Sequence, residues 1–161
     1  MKSPLTLESL QQQARLFADV ESTHPEPSLY GVTDGKAVGT YFEHKFQAYL
    51  HLLYDYEEGS SARGIDFPTL DVDMKVTSIT QPQSSCPYKS ARQKLYGLGY
   101  HLLVFVYEKT DHPATTTGRL DIKHVIFVDH QRTADFQMTR GVRQILDNEG
   151  NEEDLIAYMA D

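Results

Sequence analysis

The sequence is short of several residue types that would direct its fold or its chemistry. Its 161 residues include one cysteine, Cys86, and no tryptophan. A single cysteine excludes a disulfide scaffold and a cysteine-rich zinc module. No apolar run approaches the roughly 20 residues that a membrane-spanning helix needs. The first residues lead into polar glutamines without the apolar segment of a signal peptide, so we expect a cytoplasmic protein with no membrane partner.

Several enzyme classes also lack their signatures. No glycine-rich loop has the spacing of a P-loop or a dinucleotide-binding turn, which argues against an ATPase or an NAD enzyme. The seven histidines show no H-x-x-H or H-E-x-x-H spacing suited to zinc. Cys86 has no obvious base beside it in the sequence, so a cysteine nucleophile is a poor interpretation.

The charge is unevenly distributed along the chain. A net charge of −8 argues against a nucleic-acid partner. Six acidic residues and no lysine or arginine fall within residues 147–161, however, so residues 1–146 carry only −2. Between residues 78 and 107 the only charged side chains are Lys89, Arg92 and Lys94. This basic patch is compatible with DNA binding, although charge alone favours a solvated helix face.

The pattern of apolar residues predicts one domain over residues 1–161, an α/β or α+β layered sheet with helices on its faces, and we expect the α/β class. Thr6 is the expected N-cap of the first helix, and Thr40 with Glu43 has the form of a capping box at the start of the second. Between them, residues 21–40 are predicted to form a long loop, and residues 111–118 a second loop. The predicted helices are 6–20, 40–56, 88–98, 134–148 and 152–159, and the predicted strands are 65–67, 70–77, 100–107 and 120–129.

The most informative segment is residues 64–77. Alternate side chains of a strand share a face, which places Asp73 and Lys75 together, and Asp66 can approach Asp73 if the two predicted strands pair. Two converging carboxylates suit Mg²⁺, and a neighbouring lysine can stabilise charge on a phosphodiester or help to activate a water. Glu43 could add a carboxylate from the preceding helix. Taken singly, Asp73 and Lys75 could be a surface ion pair, Asp66 a turn residue and Glu43 only a helix cap.

In combination, Glu43, Asp66 and Asp73-Met74-Lys75, followed by a helix and a buried strand, resemble the PD-(D/E)XK nuclease superfamily. The segment 72–78 is most similar to its type II restriction endonucleases. The resemblance covers about residues 40–109, and it departs from the family where Ile65 replaces the proline before the first aspartate. It implies a restriction-endonuclease-like core over about 40–129, a mixed central sheet flanked by helices, with a helical N-terminal flank and an acidic C-terminal flank.

The resemblance also implies roles for the site residues. Asp66 and Asp73 would hold Mg²⁺, Lys75 would be the catalytic lysine and Glu43 an additional catalytic carboxylate. The polar loop after the catalytic strand would face base edges, and the basic residues would contact phosphates, although a plain polar loop is an equally good interpretation. The residues expected to contact DNA are Arg63, Gln81, Gln83, Ser84, Ser85, Lys89, Arg92 and Lys94.

We therefore expect a Mg²⁺-dependent endonuclease of the restriction type that hydrolyses duplex DNA at a specific sequence. Cutting both strands needs two sites, so a homodimer follows by symmetry. The first helix, residues 21–40 or the acidic C-terminal end could supply the contact. Three alternatives stay open: a structure-specific repair or junction nuclease, a non-catalytic nucleic-acid-binding domain of the same fold, and a protein-interaction domain that uses the acidic C-terminal end.

Overall fold

The computed structural model describes residues 1–59, 64–80 and 98–132. These residues contain two α-helices and five strands. The strands form two small sheets, one in which β1 pairs in parallel with β2 and one with the strand order β3-β4-β5. The mixed α/β class is confirmed, and none of the described helices is long and apolar enough to cross a membrane. The elements are β1 (Ser3–Pro4), α1 (Leu7–Glu21), α2 (Gly35–Leu53), β2 (Tyr54–Asp55), β3 (Val72–Ser78), β4 (His101–His112) and β5 (Thr117–Val128).

The first helix forms where the sequence predicts it. The Thr6 hydroxyl accepts a hydrogen bond from the Ser9 backbone N–H at 3.1 Å, and the Ser9 hydroxyl accepts one from the Thr6 N–H at 2.9 Å. This reciprocal arrangement is a capping box. Leu10, Ala14 and Phe17 recur at three- and four-residue spacing and are buried, so α1 has the amphipathic stripe of a helix packed on a core.

The second helix begins earlier than expected. The Asp34 carboxylate accepts a hydrogen bond from the Lys36 N–H at 3.0 Å and so caps α2, which begins at Gly35. The predicted capping box of Thr40 and Glu43 is therefore wrong, since both residues lie inside the helix. The reason is that a second good N-cap, Asp34, precedes one more turn of the buried stripe. The predicted loop 21–40 is correspondingly shorter and contains a 3₁₀ turn.

The long hairpin of β4 and β5 extends beyond both predicted strands. Along β4, Leu103, Phe105 and Tyr107 are buried and alternate with less buried residues, so one face of this strand lies against the core. The predicted loop 111–118 shrinks to residues 113–116 because the strands continue pairing to His112 and from Thr117. Thr116 closes the turn in the left-handed conformation at φ 49°.

The described residues group into two compact units, one containing 1–59, 64–80 and 102–127, and the other containing 98–101 and 128–132. In the first unit α1 packs on α2 and α2 packs on β3. Their core is rich in aromatic rings: Phe42 lies 4.6 Å from Phe105 and 5.3 Å from Phe17 between ring centroids. The predicted single domain over 1–161 stays a prediction. The predicted helices 134–148 and 152–159, and nearly all of 88–98, lie outside the described residues.

Candidate active site

A tight reversal of the chain brings Asp66 to the beginning of β3. Phe67 and Val72 exchange two backbone hydrogen bonds, at 2.9 and 3.2 Å. Between them a 3₁₀ turn over Pro68–Leu70 ends at Asp71, whose left-handed backbone at φ 54° completes the reversal. Only Phe67 pairs where a strand 65–67 is predicted, but the predicted approach of Asp66 to the second strand is confirmed.

Asp66 and Asp73 are in direct contact. The Asp66 Oδ2 accepts a hydrogen bond from the Met74 backbone N–H at 2.8 Å, and the Asp66 and Asp73 carboxyl groups share a hydrogen bond. Asp73 is only 5% exposed, so it does not lie on a solvent-facing side of the strand. The Lys75 Nζ lies 3.0 Å from the Asp73 Oδ2 and is less deeply buried. The structure thus joins two carboxyl groups and one ammonium group at the start of β3.

Glu43 approaches this pair from α2. One turn before it, Gly39 lies against Val76 of β3, and this packing directs the same helix face towards the acidic pair. The oxygens of Glu43, Asp66 and Asp73 do not all lie within 4.8 Å of one another. Asp66 shares a hydrogen bond with Asp73, whereas Glu43 acts on Asp66 only through its charge, so Glu43 is the more distant third acid.

Burial and neighbouring acids perturb Asp66 and Glu43 electrostatically. Burial raises the pKa of Asp66 to about 7, with further contributions from its hydrogen bond to Asp73 and from the charges of Asp73 and Glu43; the Met74 N–H opposes them. Burial and the charge of Asp73 also raise the pKa of Glu43, and Lys75 partly offsets this effect. One lysine among three acids leaves an excess of negative charge that a bound cation would neutralise.

A cleft of about 390 Å³ opens beside Asp66 and Glu43. Glu58, which no motif in the sequence singles out, also lines the cleft. Its only sequence signal is its place in the acidic pair 57–58 after α2, which is too general to mark a site. The cleft residues are Glu43, His44, Gln47, Glu58, Gly59, Gly64, Ile65 and Asp66.

Comparison with known proteins identifies the family. A family model described as type II restriction enzyme NspV matches residues 4–161. The chain belongs to this NspV type II restriction enzyme family. It is 64% identical over 157 residues to the type II restriction enzyme NspV of Nostoc sp. (strain ATCC 29411 / PCC 7524), an alignment that covers 98% of this chain and 71% of that protein. No solved structure matches the chain.

Membership of the NspV family confirms the expected enzyme class, a type II restriction enzyme and therefore a site-specific deoxyribonuclease. The roles of individual residues stay predictions. Glu43, Asp66, Asp73 and Lys75 are brought to one region by α2 and β3. The residues predicted to contact DNA all lie outside the described residues: Arg63, Gln81, Gln83, Ser84, Ser85, Lys89, Arg92 and Lys94.

Proposed function

We propose that this chain hydrolyses phosphodiester bonds of duplex DNA at a specific sequence, with a Mg²⁺-dependent centre built on Asp66, Asp73 and Lys75. The observation that carries the proposal is the contact between Asp66 and Asp73 with Lys75 against it, in a chain of a restriction enzyme family. The same arrangement supports the assignment to the PD-(D/E)XK superfamily, because it contains that family's two acids and lysine in the expected order.

The donor set fits Mg²⁺. Asp66 and Asp73 offer carboxylate oxygens, the hard ligands that this ion prefers. Burial and the neighbouring acids raise the pKa of Asp66, so a bound cation would favour its charged form. When bound, Mg²⁺ polarises a phosphodiester and lowers the pKa of a water. Because Asp66 and Asp73 offer only oxygen donors, the pair favours Mg²⁺ or Mn²⁺ over zinc.

Each side chain then has a distinct task. The Met74 N–H fixes the Asp66 carboxylate, and Lys75 fixes Asp73, so both metal ligands are oriented before DNA arrives. Lys75 is 30% exposed and pairs with the buried Asp73, so its ammonium group can also contact a phosphate of bound DNA. There it would stabilise the negative charge that develops as water attacks phosphorus and the bond to the sugar oxygen breaks. Glu43, whose pKa is raised, is suited to take up the proton released by the water.

Duplex DNA cleavage also implies an arrangement of subunits. The chain carries one such acidic pair among the described residues, whereas a duplex has two strands. We propose a homodimer with two-fold symmetry that presents one centre to each strand. The predicted DNA contacts of Arg63, of residues 81–85 and of Lys89, Arg92 and Lys94 belong to this proposal. So does a cytoplasmic location, where the protein would meet duplex DNA.

Digestion of plasmid DNA tests the proposal. We expect discrete fragments with Mg²⁺, none with EDTA, and cleavage at least about 100-fold slower for Asp73→Asn. Asp71→Asn is a matched control, since Asp71 is exposed and has a left-handed backbone that asparagine tolerates; it should cut like the wild type. Cleavage by Asp73→Asn within threefold of wild type would refute the centre, cleavage in EDTA would refute the metal, and a smear would refute sequence specificity. A mass from light scattering that corresponds to one protein chain per DNA duplex would refute the dimer.

A further inference from the structure

A second cluster of metal-binding side chains lies at the open end of the β4–β5 hairpin. His101 begins β4, and Asp129 and His130 follow directly after the end of β5 at Val128. The hairpin therefore brings together residues that are 28 positions apart in the sequence, which is why no short histidine motif marks them. All three residues belong to the same compact unit, and none has a role in the catalytic proposal.

The donor atoms of this cluster converge. The His130 Nδ1 lies 3.3 Å from the Asp129 Oδ1, and the His101 Nδ1 lies 3.8 Å from the Asp129 Oδ2. Around a tetrahedral zinc ion, with ligand bonds of about 2.0–2.1 Å, neighbouring donor atoms are about 3.3–3.4 Å apart. Of the residues that the structure describes, only these three form a histidine, cysteine and acidic cluster with all donor atoms within 4.8 Å.

Backbone hydrogen bonds hold the cluster in place. The His101 Nδ1 accepts a hydrogen bond from the His130 backbone N–H at 2.9 Å, so this nitrogen carries no proton, and an ion bound through it would replace that hydrogen bond. The Asp129 Oδ1 accepts one from the Gln131 N–H at 3.0 Å. The His101 side chain is 12% exposed, whereas Asp129 and His130 are each 50% exposed. One partly buried donor and two exposed ones give an ion both an anchor and a route from solvent.

We propose that His101, Asp129 and His130 bind a divalent transition-metal ion, with Zn²⁺ the best fit, and that this ion ties the two ends of the hairpin together. Two imidazole nitrogens and one carboxylate favour zinc, cobalt, nickel or copper over Mg²⁺. Three protein ligands leave a fourth position for water. This site differs in donor type from the all-oxygen pair of Asp66 and Asp73, and it does not depend on the proposed function.

Cobalt titration of the full chain tests the site. Co²⁺ is added in excess Mg²⁺, which occupies oxygen-only sites, and tetrahedral Co²⁺ is followed by its visible absorption and its displacement by Zn²⁺. We expect one Co²⁺ per chain in the wild type and affinity lowered at least about 100-fold in Asp129→Asn and His130→Gln. The control His124→Gln removes an exposed histidine of β5 and should bind within twofold of wild type.

The results for these variants distinguish binding at His101, Asp129 and His130 from binding at surface histidines or at the acidic pair. Both variants alter half-exposed side chains, and unchanged circular dichroism would show that they fold. Absorption retained in both of them, or absent from the wild type, would overturn the proposal. An equal loss in His124→Gln would indicate adventitious surface binding only and would also overturn it. Asp73→Asn should keep the cobalt signal, and its loss would place the ion at the acidic pair instead.

Discussion

Replacing Asp66 by asparagine should stabilise the metal-free protein. An asparagine at this position can still accept the Met74 N–H bond, and its amide can donate to the Asp73 carboxylate. What disappears is the negative charge that burial and Asp73 make unfavourable. Since type II cleavage is proposed to need that charge, the same substitution should abolish digestion of DNA while it raises the free energy of unfolding.

The size of the effect follows from the pKa of Asp66. In the folded protein the carboxyl holds its proton up to pH about 7, whereas its ordinary pKa is 3.8. Between these values the folded state binds more protons than the unfolded state, so the stability of the wild type falls as the pH rises from about 4 to 7. At about 1.36 kcal/mol per unit the full shift corresponds to about 4 kcal/mol. Because Asp66 is only partly buried, solvent screening reduces this figure, and we expect a gain of roughly 2 kcal/mol at pH 8.

Urea unfolding at pH 4.5–8.5 in EDTA provides the measurement. The advantage of Asp66→Asn over wild type should be small near the acid end, grow as the pH rises to about 7 and then level off. Added Mg²⁺ should stabilise the wild type alone and so reduce the difference. Asp71→Asn, the exposed neighbour, should show no comparable pH dependence. An Asp66→Asn protein that is no more stable than wild type at pH 8 in EDTA would refute the electrostatic account of the site.

Three further substitutions separate the roles of other residues. Lys75→Gln should slow cleavage at least about 100-fold while Ca²⁺-supported DNA binding in gel shifts stays within threefold; equal losses of both would contradict a catalytic role. Glu43→Gln should slow cleavage about tenfold or more and flatten the rise of the rate with pH, and an unchanged pH profile would argue against proton uptake by Glu43. Tyr41→Phe removes a 2.6 Å hydrogen bond to the buried Glu21 and leaves that acid paired with Lys45 at 2.7 Å. Thermal unfolding should show that the free energy of unfolding falls by about 2 kcal/mol, while cleavage is unchanged. An unchanged free energy of unfolding would mean that this hydrogen bond does not stabilise the fold.

The elements that the sequence predicts well are those with local causes. The cap of α1 is formed by Thr6 and Ser9 within one turn, so its start can be predicted without knowledge of the rest of the fold. The reversal between Asp66 and Asp73 is similar, because the proline turn and the αL conformation of Asp71 act within six residues. A short segment contains all the information that such features need.

The errors arise where two local signals compete or where the partner is distant. Both Asp34 and Thr40 are good N-caps, and the choice of Asp34 depends on burial of Val38 against residues far along the chain. The burial of Asp73 could not be predicted from strand alternation, since it depends on α2 packing on β3. The cluster of His101, Asp129 and His130 forms because the start of β4 lies beside the end of β5. This depends on the pairing register of a long hairpin, which local sequence does not determine.

The burial of Asp73 is also the strongest structural argument for function. A D-x-K pair on a strand is most often a solvent-exposed ion pair worth about 0–1 kcal/mol, and such a pair would need no explanation. Here the aspartate is 5% exposed and shares a hydrogen bond with Asp66, whose pKa is raised to about 7 as a result of burial and of its acidic neighbours. We expect this arrangement to lower the stability of the metal-free protein at neutral pH, so selection for stability alone would not favour it. Its presence in this chain, which belongs to a restriction enzyme family, is explained if the two carboxylates are kept together to hold a cation beside DNA.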